Sequence, residues 1–352
     1  MNNEWRSFLE SQSGTIAEDE RVSFPEPDNE HDCRLCDLSF LGLLEVSGGD
    51  AESFLQGQLT NDLRRVLPDA HQMNSYCSPK GRMLANFRVF REDGGAYVLQ
   101  MPKERVQPTL QRLGMFVLRA QVRLRDVSDD LVRVGLVGDC APTLIAKLAP
   151  GLGTHPGAAI HAADLTILRL PGESPRFEII GPLPSLQPFW EQWSRIAPPA
   201  SSTCWEWHEI RAGIPTVFDK TAEAFVPQMA NMQLVDGVSF SKGCYTGQEI
   251  VARMQYLGKL KRRMYLAHVE CKTRPIPGDP LFSPSSQSGQ GDGNIVDAQP
   301  SPGGGFDLLA VIPIDSVEAN DVRVGSADGP LLQFHDLPYS FDAADAQMPG
   351  SG

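Results

Sequence analysis

The chain has 352 residues, 41% of them hydrophobic and 21% charged, with a formal net charge of −13. That length supports two or three domains with a sizeable core, and the composition is that of a water-soluble globular protein. The acidity lacks the electrostatic footprint of a phosphate-backbone binder, which disfavours direct DNA or tRNA binding, and no apolar run approaches membrane-spanning length.

Seven cysteines stand at irregular spacing: Cys33, Cys36, Cys77, Cys140, Cys204, Cys244 and Cys271. An odd, irregular set argues against a disulfide framework and for a reducing compartment, so the cytoplasm is expected. The first residues are polar and acidic, without the pattern of a signal peptide.

Residues 1–34 read as a flexible polar lead, with one helical turn around Trp5 to Leu9. His31, Cys33 and Cys36 resemble half a zinc site, but no second Cys/His pair follows at matching spacing, so no metal site is assigned. Residues 38–46 predict a strand, and Asp50 caps a following helix with Phe54, Leu55 and Leu59 inward. The helix runs out into Gln-Gly-Gln-Leu-Thr-Asn-Asp (56–62), where Thr60 and Asp62 suit a helix stop that bonds its own loop. The Pro79-Lys80-Gly81 turn leads into an alternating strand over 83–90. A strand at 96–100, a helix at 104–115 and a strand around Val122 and Leu124 follow.

Residues 131–197 predict strand, helix, strand, strand, helix, an α+β layer whose stripe of Phe189, Trp190, Trp193 and Ile196 belongs to the core. The aromatic-rich run Trp-Glu-Trp-His-Glu-Ile-Arg-Ala-Gly-Ile-Pro occupies 205–215. Trp205 reads equally as a core residue or a ligand contact. Gln228 and Asn231 offer amide donors and acceptors, to a ligand or to their own loop. From 262 to 341 short alternating segments are broken by Gly and Pro, the pattern of a small antiparallel barrel. Residues 283–291 predict a loop and 342–352 a disordered tail. The basic run 259–263 reads as a solvated face.

The most informative stretch is Ser-Lys-Gly-Cys-Tyr-Thr-Gly-Gln-Glu-Ile-Val-Ala-Arg (241–253). Thr246, Gly247, Gln248 and Glu249 spell a capping box, and Tyr245 and Ile250 a hydrophobic staple. Ile250, Val251, Met254 and Leu257 give the helix one apolar face. Cys244 then lies just before the positive end of a helix, two residues after Lys242, with Gly243 and Gly247 removing bulk around it. Those features favour a reactive or metal-touching thiolate. The alternative is a small buried hydrophobe at an ordinary helix start.

The run Lys-Gly-Cys-Tyr-Thr-Gly-Gln-Glu resembles the signature of the YgfZ family, folate-binding relatives of the glycine-cleavage T-protein that assist iron–sulfur cluster assembly or repair. Three further islands resemble that superfamily: Phe54 through Asp62, the Pro79-Lys80-Gly81 turn, and the segments 205–215 and 225–231. The resemblance implies an α+β, T-protein-like fold of three domains in a cloverleaf: residues 35–127 with 203–258 for folate, 128–202 as an α+β subdomain, and 259–341 as a C-terminal antiparallel β-barrel. It implies tetrahydrofolate or a derivative as cofactor, with Trp205, Arg211, Gln228, Asn231, Asp62 and Asn86 around it. It implies Cys244 as the working thiol, tuned by Lys242, in a motif completed by Gly243, Tyr245, Thr246, Gly247, Gln248 and Glu249. Iron–sulfur clients or assembly proteins, among them tRNA-modifying enzymes, become the expected partners of a cytoplasmic monomer.

Two departures from the aminomethyltransferase branch shape the reading. The strand position that carries an essential aspartate there is Asn86 here, and an amide cannot act as a general base. The glutamate that contacts the pterin is Arg211 here, which can stack on a pterin or pair with a folate carboxylate but cannot accept its N–H groups. A non-enzymatic assembly or repair factor is therefore preferred, and a tetrahydrofolate-dependent aminomethyl- or methyltransferase is the alternative.

Overall fold

The computed structural model describes residues 1–25, 33–258, 260–286 and 292–341. The chain divides into two compact units. Unit 1 comprises Met1–Leu55, Leu63–Gln72 and Arg88–Trp205, and unit 2 comprises Gln56–Asp62, Met73–Phe87 and Glu206–Gly352.

Unit 1 is built on a six-stranded sheet in the order Ala159–Ala162, Leu165–Leu170, Arg176–Gly181, Val132–Val137, Arg34–Asp37, Pro199–Ala200. All its pairs are antiparallel except the last, which is parallel. The two central strands are buried along their whole length, as a sheet covered on both faces requires. One face meets the helices Asn3–Ser11, Ala141–Leu148 and Leu183–Trp193 through Trp5, Leu9, Leu144, Trp190 and Trp193. The other carries Cys36, Leu168, Ile180 and Trp205, which pack against Leu43, Phe90 and Val98 of a second sheet. Within unit 1 that second sheet holds residues 88–91 of the strand Met83–Arg91, then Tyr97–Pro102, Leu41–Ser47 and Arg123–Asp126 in that order. Helix Lys103–Val117 lies against it, and Gly42 permits the approach: a Cβ there would sit 2.4 Å from Val106 Cγ2.

Two expectations for this unit are corrected. The polar lead is folded through residue 25. Asn2 caps helix Asn3–Ser11 by accepting from the amides of Glu4 and Trp5, and Trp5 and Leu9, four residues apart, share the buried face. Trp5 Nε1 donates to the buried Asp37 carboxylate at 2.7 Å. Second, Cys33 and Cys140 form a disulfide, 107 residues apart in sequence, joining the approach to Arg34–Asp37 with the start of Ala141–Leu148. Spacing alone does not reveal such a bond, because the fold brings the two cysteines together. His31 and the tail 342–352 lie outside the described residues.

Unit 2 ends in a four-stranded antiparallel sheet, ordered Asn294–Pro300, Phe306–Pro313, Arg262–Val269, Gln333–His335, with a separate ribbon of Leu281–Phe282 and Arg323–Val324. The predicted alternation is present. Met264, Leu266, Leu309 and Val311 enter one core, and Ala267, Val269, Leu308, Ala310 and Ile312 another. The α+β class is therefore observed, and the expected barrel takes the form of this sheet and ribbon.

Candidate functional site

The signature segment lies in unit 2, and a buried cation holds it. Lys242 Nζ donates to the carbonyl oxygens of Gln56 at 2.8 Å, Leu59 at 2.6 Å and Asn61 at 2.9 Å. Its ammonium also stands 5.2 Å from the centroid of the Tyr245 ring. A buried ammonium needs such partners to offset lost hydration. Lys242 therefore anchors the signature to the Gln-Gly-Gln-Leu-Thr-Asn-Asp loop.

The loop that receives Lys242 is itself tied down. Thr60 Oγ1 donates to Gly237 O at 2.7 Å and accepts from Ser75 N at 2.8 Å. Asn61 N donates to Asn74 Oδ1, and Asn61 Nδ2 to the carbonyls of Met73 and Asp236. Asp62 accepts from Gln56 Nε2 at 3.0 Å, closing the loop on itself.

The helix after the signature starts at Gln248, and its cap is Gly247, with φ 82° and no side-chain cap hydrogen bond. The predicted capping box of Thr246 and Glu249 is therefore not formed. The cause is the Pro79-Lys80-Gly81 turn. A Cβ on Gly247 would lie 2.5 Å from Ser78 O and 3.0 Å from Gly81 Cα, and one on Gly81 would lie 2.8 Å from Ile250 Cβ. Only glycines allow this approach, and the positive φ moves the cap one residue on. Glu249 is exposed, and Thr246 and Gln248 are half-buried. The helix buries Val251 and Gln255. Leu257, predicted on its apolar face, is 84% exposed because it lies beyond the last helical residue.

Cys244 is exposed. Gly243 beside it has nothing within 4 Å of where a Cβ would stand, so one flank of the thiol is open. The next residue, Tyr245, is buried, and burial first, then the nearby Cys77, raises its hydroxyl above the ordinary range. Burial alone pushes the Cys77 thiol up to about 12. The pair therefore differ in kind: Cys77 is sealed and protonated, while Cys244 is accessible on a braced loop. Among the described residues no group of three or more His, Cys, Asp or Glu could hold a metal ion.

The proposed folate contacts divide by what their polar atoms already do. Asn86 donates to Pro215 O at 2.6 Å and accepts from Val217 N at 2.8 Å, so its amide fastens the segment after the Ala-Gly-Ile-Pro motif. Gln228 Nε2 donates to Val251 O at 2.6 Å, and Asn231 Nδ2 to Met264 O at 2.8 Å. The oxygens of both amides are buried and have no hydrogen-bond partner among the described residues. Such acceptors are costly unless something donates to them. Arg211 ends helix Ser202–Arg211 and is half-buried. Trp205 belongs to unit 1 and is 1% exposed, enclosed by Gly135, whose Cβ would be 2.5 Å from the ring, and by the Arg176 guanidinium at 5.3 Å. It holds a core position.

Gln58, read only as part of the first motif, and Asn74 and Gln233, absent from the sequence reading, share the property of Gln228 and Asn231: Gln58 Oε1, Asn74 Nδ2 and Gln233 Oε1 are buried in unit 2 without hydrogen-bond partners among the described residues. The strand Gln72–Cys77 is buried at every position although it carries Gln72, Asn74 and Ser75. Polar residues inside a wholly buried strand were the signal available for Asn74. The unpartnered amide oxygens and the one amide nitrogen are of the acceptor and donor types that a pterin's N–H groups and carbonyl would use.

A family model described as the GCVT N-terminal domain matches residues 28–162. The protein named tRNA-modifying protein YgfZ from Photobacterium profundum is 32% identical over 312 residues, covering 88% of this chain and 92% of that one. Its namesakes from Klebsiella pneumoniae and Colwellia psychrerythraea are 30% and 28% identical, each covering 88% of this chain and 94% of its own. In fold, the crystal structure of the glycine cleavage system aminomethyltransferase T from Bartonella henselae matches with a TM-score of 0.71 at 15% identity, over 96% of this chain and 97% of that one. The T-protein fold read from the sequence is thus observed.

Proposed function

The chain belongs to the YgfZ family, and from that premise we propose that it is a folate-binding accessory protein for iron–sulfur cluster assembly or repair, with Cys244 as its working thiol. The observation that carries this is the exposed Cys244 on a loop braced by the buried Lys242 and by the Gly247 cap. The chemistry is reversible ligation. The thiol gives its proton to solvent, the thiolate donates an electron pair to iron of the cargo cluster, and protonation releases it, with no net electron transfer. A single protein ligand suits a transient cargo, since a resident cluster usually takes several cysteines.

Tetrahydrofolate or a derivative fits as the cofactor. Gln228 Oε1 and Asn231 Oδ1 would accept from its pterin, and Arg211 would pair with its glutamate carboxylate. When bound it supplies a reduced pterin, and this chain's residues orient it. The relatives are named for tRNA modification. A chain of net charge −13 would serve that process through iron–sulfur tRNA-modifying enzymes rather than by gripping tRNA. The work is assigned to the cytoplasm and to a monomer. The transferase alternative needs a carboxylate near the one-carbon unit, and the Asn86 amide is occupied with backbone.

The test is the activity of an iron–sulfur tRNA-modifying enzyme in cells that depend on this protein, comparing wild type with Cys244→Ala at matched level. Lost activity from a folded, folate-binding variant supports the reading. Unchanged activity sinks the role of the thiol, and glycine-cleavage half-reaction activity in the purified protein would restore the transferase.

A further inference from the structure

The C-terminal end of helix Lys103–Val117 in unit 1 exposes apolar side chains that its fold does not use. The helix buries Arg105, Val106, Thr109 and Leu113, so its inward face is complete. Past that face, Met115 is 62% exposed, Phe116 43% and Leu118 87%. Leu118 caps the helix at φ 45°, ψ −104°. A glycine occupies that kind of position without strain, whereas a leucine there is strained. The chain thus holds a strained residue that presents a leucine to water.

The patch is also basic in an acidic protein. In residues 118–125, the turn and strand that follow the helix, stand Arg119, Arg123 and Arg125 without an Asp or Glu, and Asp50 is the carboxylate that accepts from Gln121 N in that turn. Arg125 pairs with Glu45 and Asp130. Arg119 and Arg123 are exposed, and no ion pair involves either of them among the described residues. The turn that carries them is rigid. Ala120 N donates to Val117 O at 2.8 Å, Gln121 N to Asp50 Oδ2 at 2.8 Å, and Asp50 N to Gln121 O at 3.3 Å. Arg123 can protect an edge strand, and Arg119 can complement a helix C-terminus. Neither role requires an exposed leucine at positive φ.

We propose that Met115, Phe116 and Leu118, flanked by Arg119 and Arg123, form a docking surface for a partner protein that presents an apolar anchor bordered by carboxylates. Met, Phe and Arg are the residue types enriched in protein interfaces, and a pre-formed surface lowers the ordering cost of binding. Charge complementarity selects the occupant: the exposed Arg119 and Arg123 guanidinium groups favour a segment that carries carboxylates beside its apolar anchor. A second copy of this chain would set these arginines against their own counterparts.

The full-length protein would be titrated with a fluorescent helical peptide whose leucines recur at helical spacing among glutamates. Its lysine-for-glutamate counterpart, bulk tRNA and phosphatidylglycerol vesicles would be run in parallel. Saturable binding of the glutamate peptide alone is expected, weakening with salt. Arg119→Glu with Arg123→Glu should weaken it at least tenfold. Leu118→Gly should weaken it similarly while leaving the thermal midpoint unchanged or higher, which separates docking from folding. The proposal is overturned by no saturable binding, by equal binding of the lysine peptide, or by indifference to these variants. Preferential binding of tRNA or vesicles overturns it too, as does a concentration-dependent dimer that Leu118→Gly abolishes.

Discussion

Lys242 Nζ donates to the carbonyl oxygen of Leu59 at 2.6 Å, across 183 positions of sequence. That bond, with its neighbours on Gln56 and Asn61, locks the cysteine-bearing signature to the first motif loop of unit 2. Lys242→Met keeps the buried stem but leaves three carbonyls without their donor. Hydrogen bonds to a charged group contribute about 1.5–3 kcal/mol each and are not additive, so a loss of roughly 3 kcal/mol is expected. Urea unfolding measures it. A change below about 0.5 kcal/mol, the scale of ordinary surface substitutions, would mean that the ammonium does not brace the loop.

Gly247→Ala puts a methyl group 2.5 Å from Ser78 O on a residue at φ 82°. Strain and clash together should cost roughly 2–3 kcal/mol. The variant should also raise protease sensitivity between Ser239 and Gln248. A variant as stable as wild type would show that the turn at residues 79–81 yields easily.

These two residues mark how far the sequence reaches. The signature was legible as a unit because glycines, a lysine and a cysteine cluster in it, and the alternation of residues 265–269 and 307–314 gave the two faces of the C-terminal sheet. The capping box was not realised, because the reason for Gly247 lies at Ser78 and Gly81, far away in sequence. The same limit hid the carbonyl partners of Lys242, the backbone partners of Asn86 and the Cys33–Cys140 pair, each joining segments distant in the chain. The lead was misread because its polar composition masks the few apolar residues that bury it, Trp5 and Leu9 in the helix and Val22 and Phe24 after it.

The disulfide carries its own consequence. Seven cysteines less the two bonded leave five free: Cys36, Cys77, Cys204, Cys244 and Cys271. Unfolded without reductant, the protein should titrate five thiols, and after reduction seven. Closing so long a loop stabilises by about 4–5 kcal/mol in the chain-entropy model, and less where the unfolded state retains structure. Cys140→Ser should therefore lower the urea midpoint measurably. Seven thiols without reductant would instead match the reducing compartment that the cysteine spacing suggests.

His71 makes the stability of unit 1 depend on pH. It is buried, its Nε2 donates to Arg169 O at 2.8 Å, and its Nδ1 has no partner among the described residues. Burial first, then the Arg88 charge with a smaller contribution from His155, lowers its pKa from 6.5 to about 3. The native state therefore stays neutral where the unfolded chain takes up a proton. Stability is intact above pH 6.5 and falls by about 1.4 kcal/mol per pH unit as the pH drops through the window from 6.5 to about 3. Between pH 7 and pH 5 this one group should remove about 2 kcal/mol. His71→Gln can keep a donor towards Arg169 O but does not titrate, so it should flatten the profile over that interval by the same amount. Parallel pH profiles for variant and wild type would show that His71 is already charged, or already exposed, in the native protein.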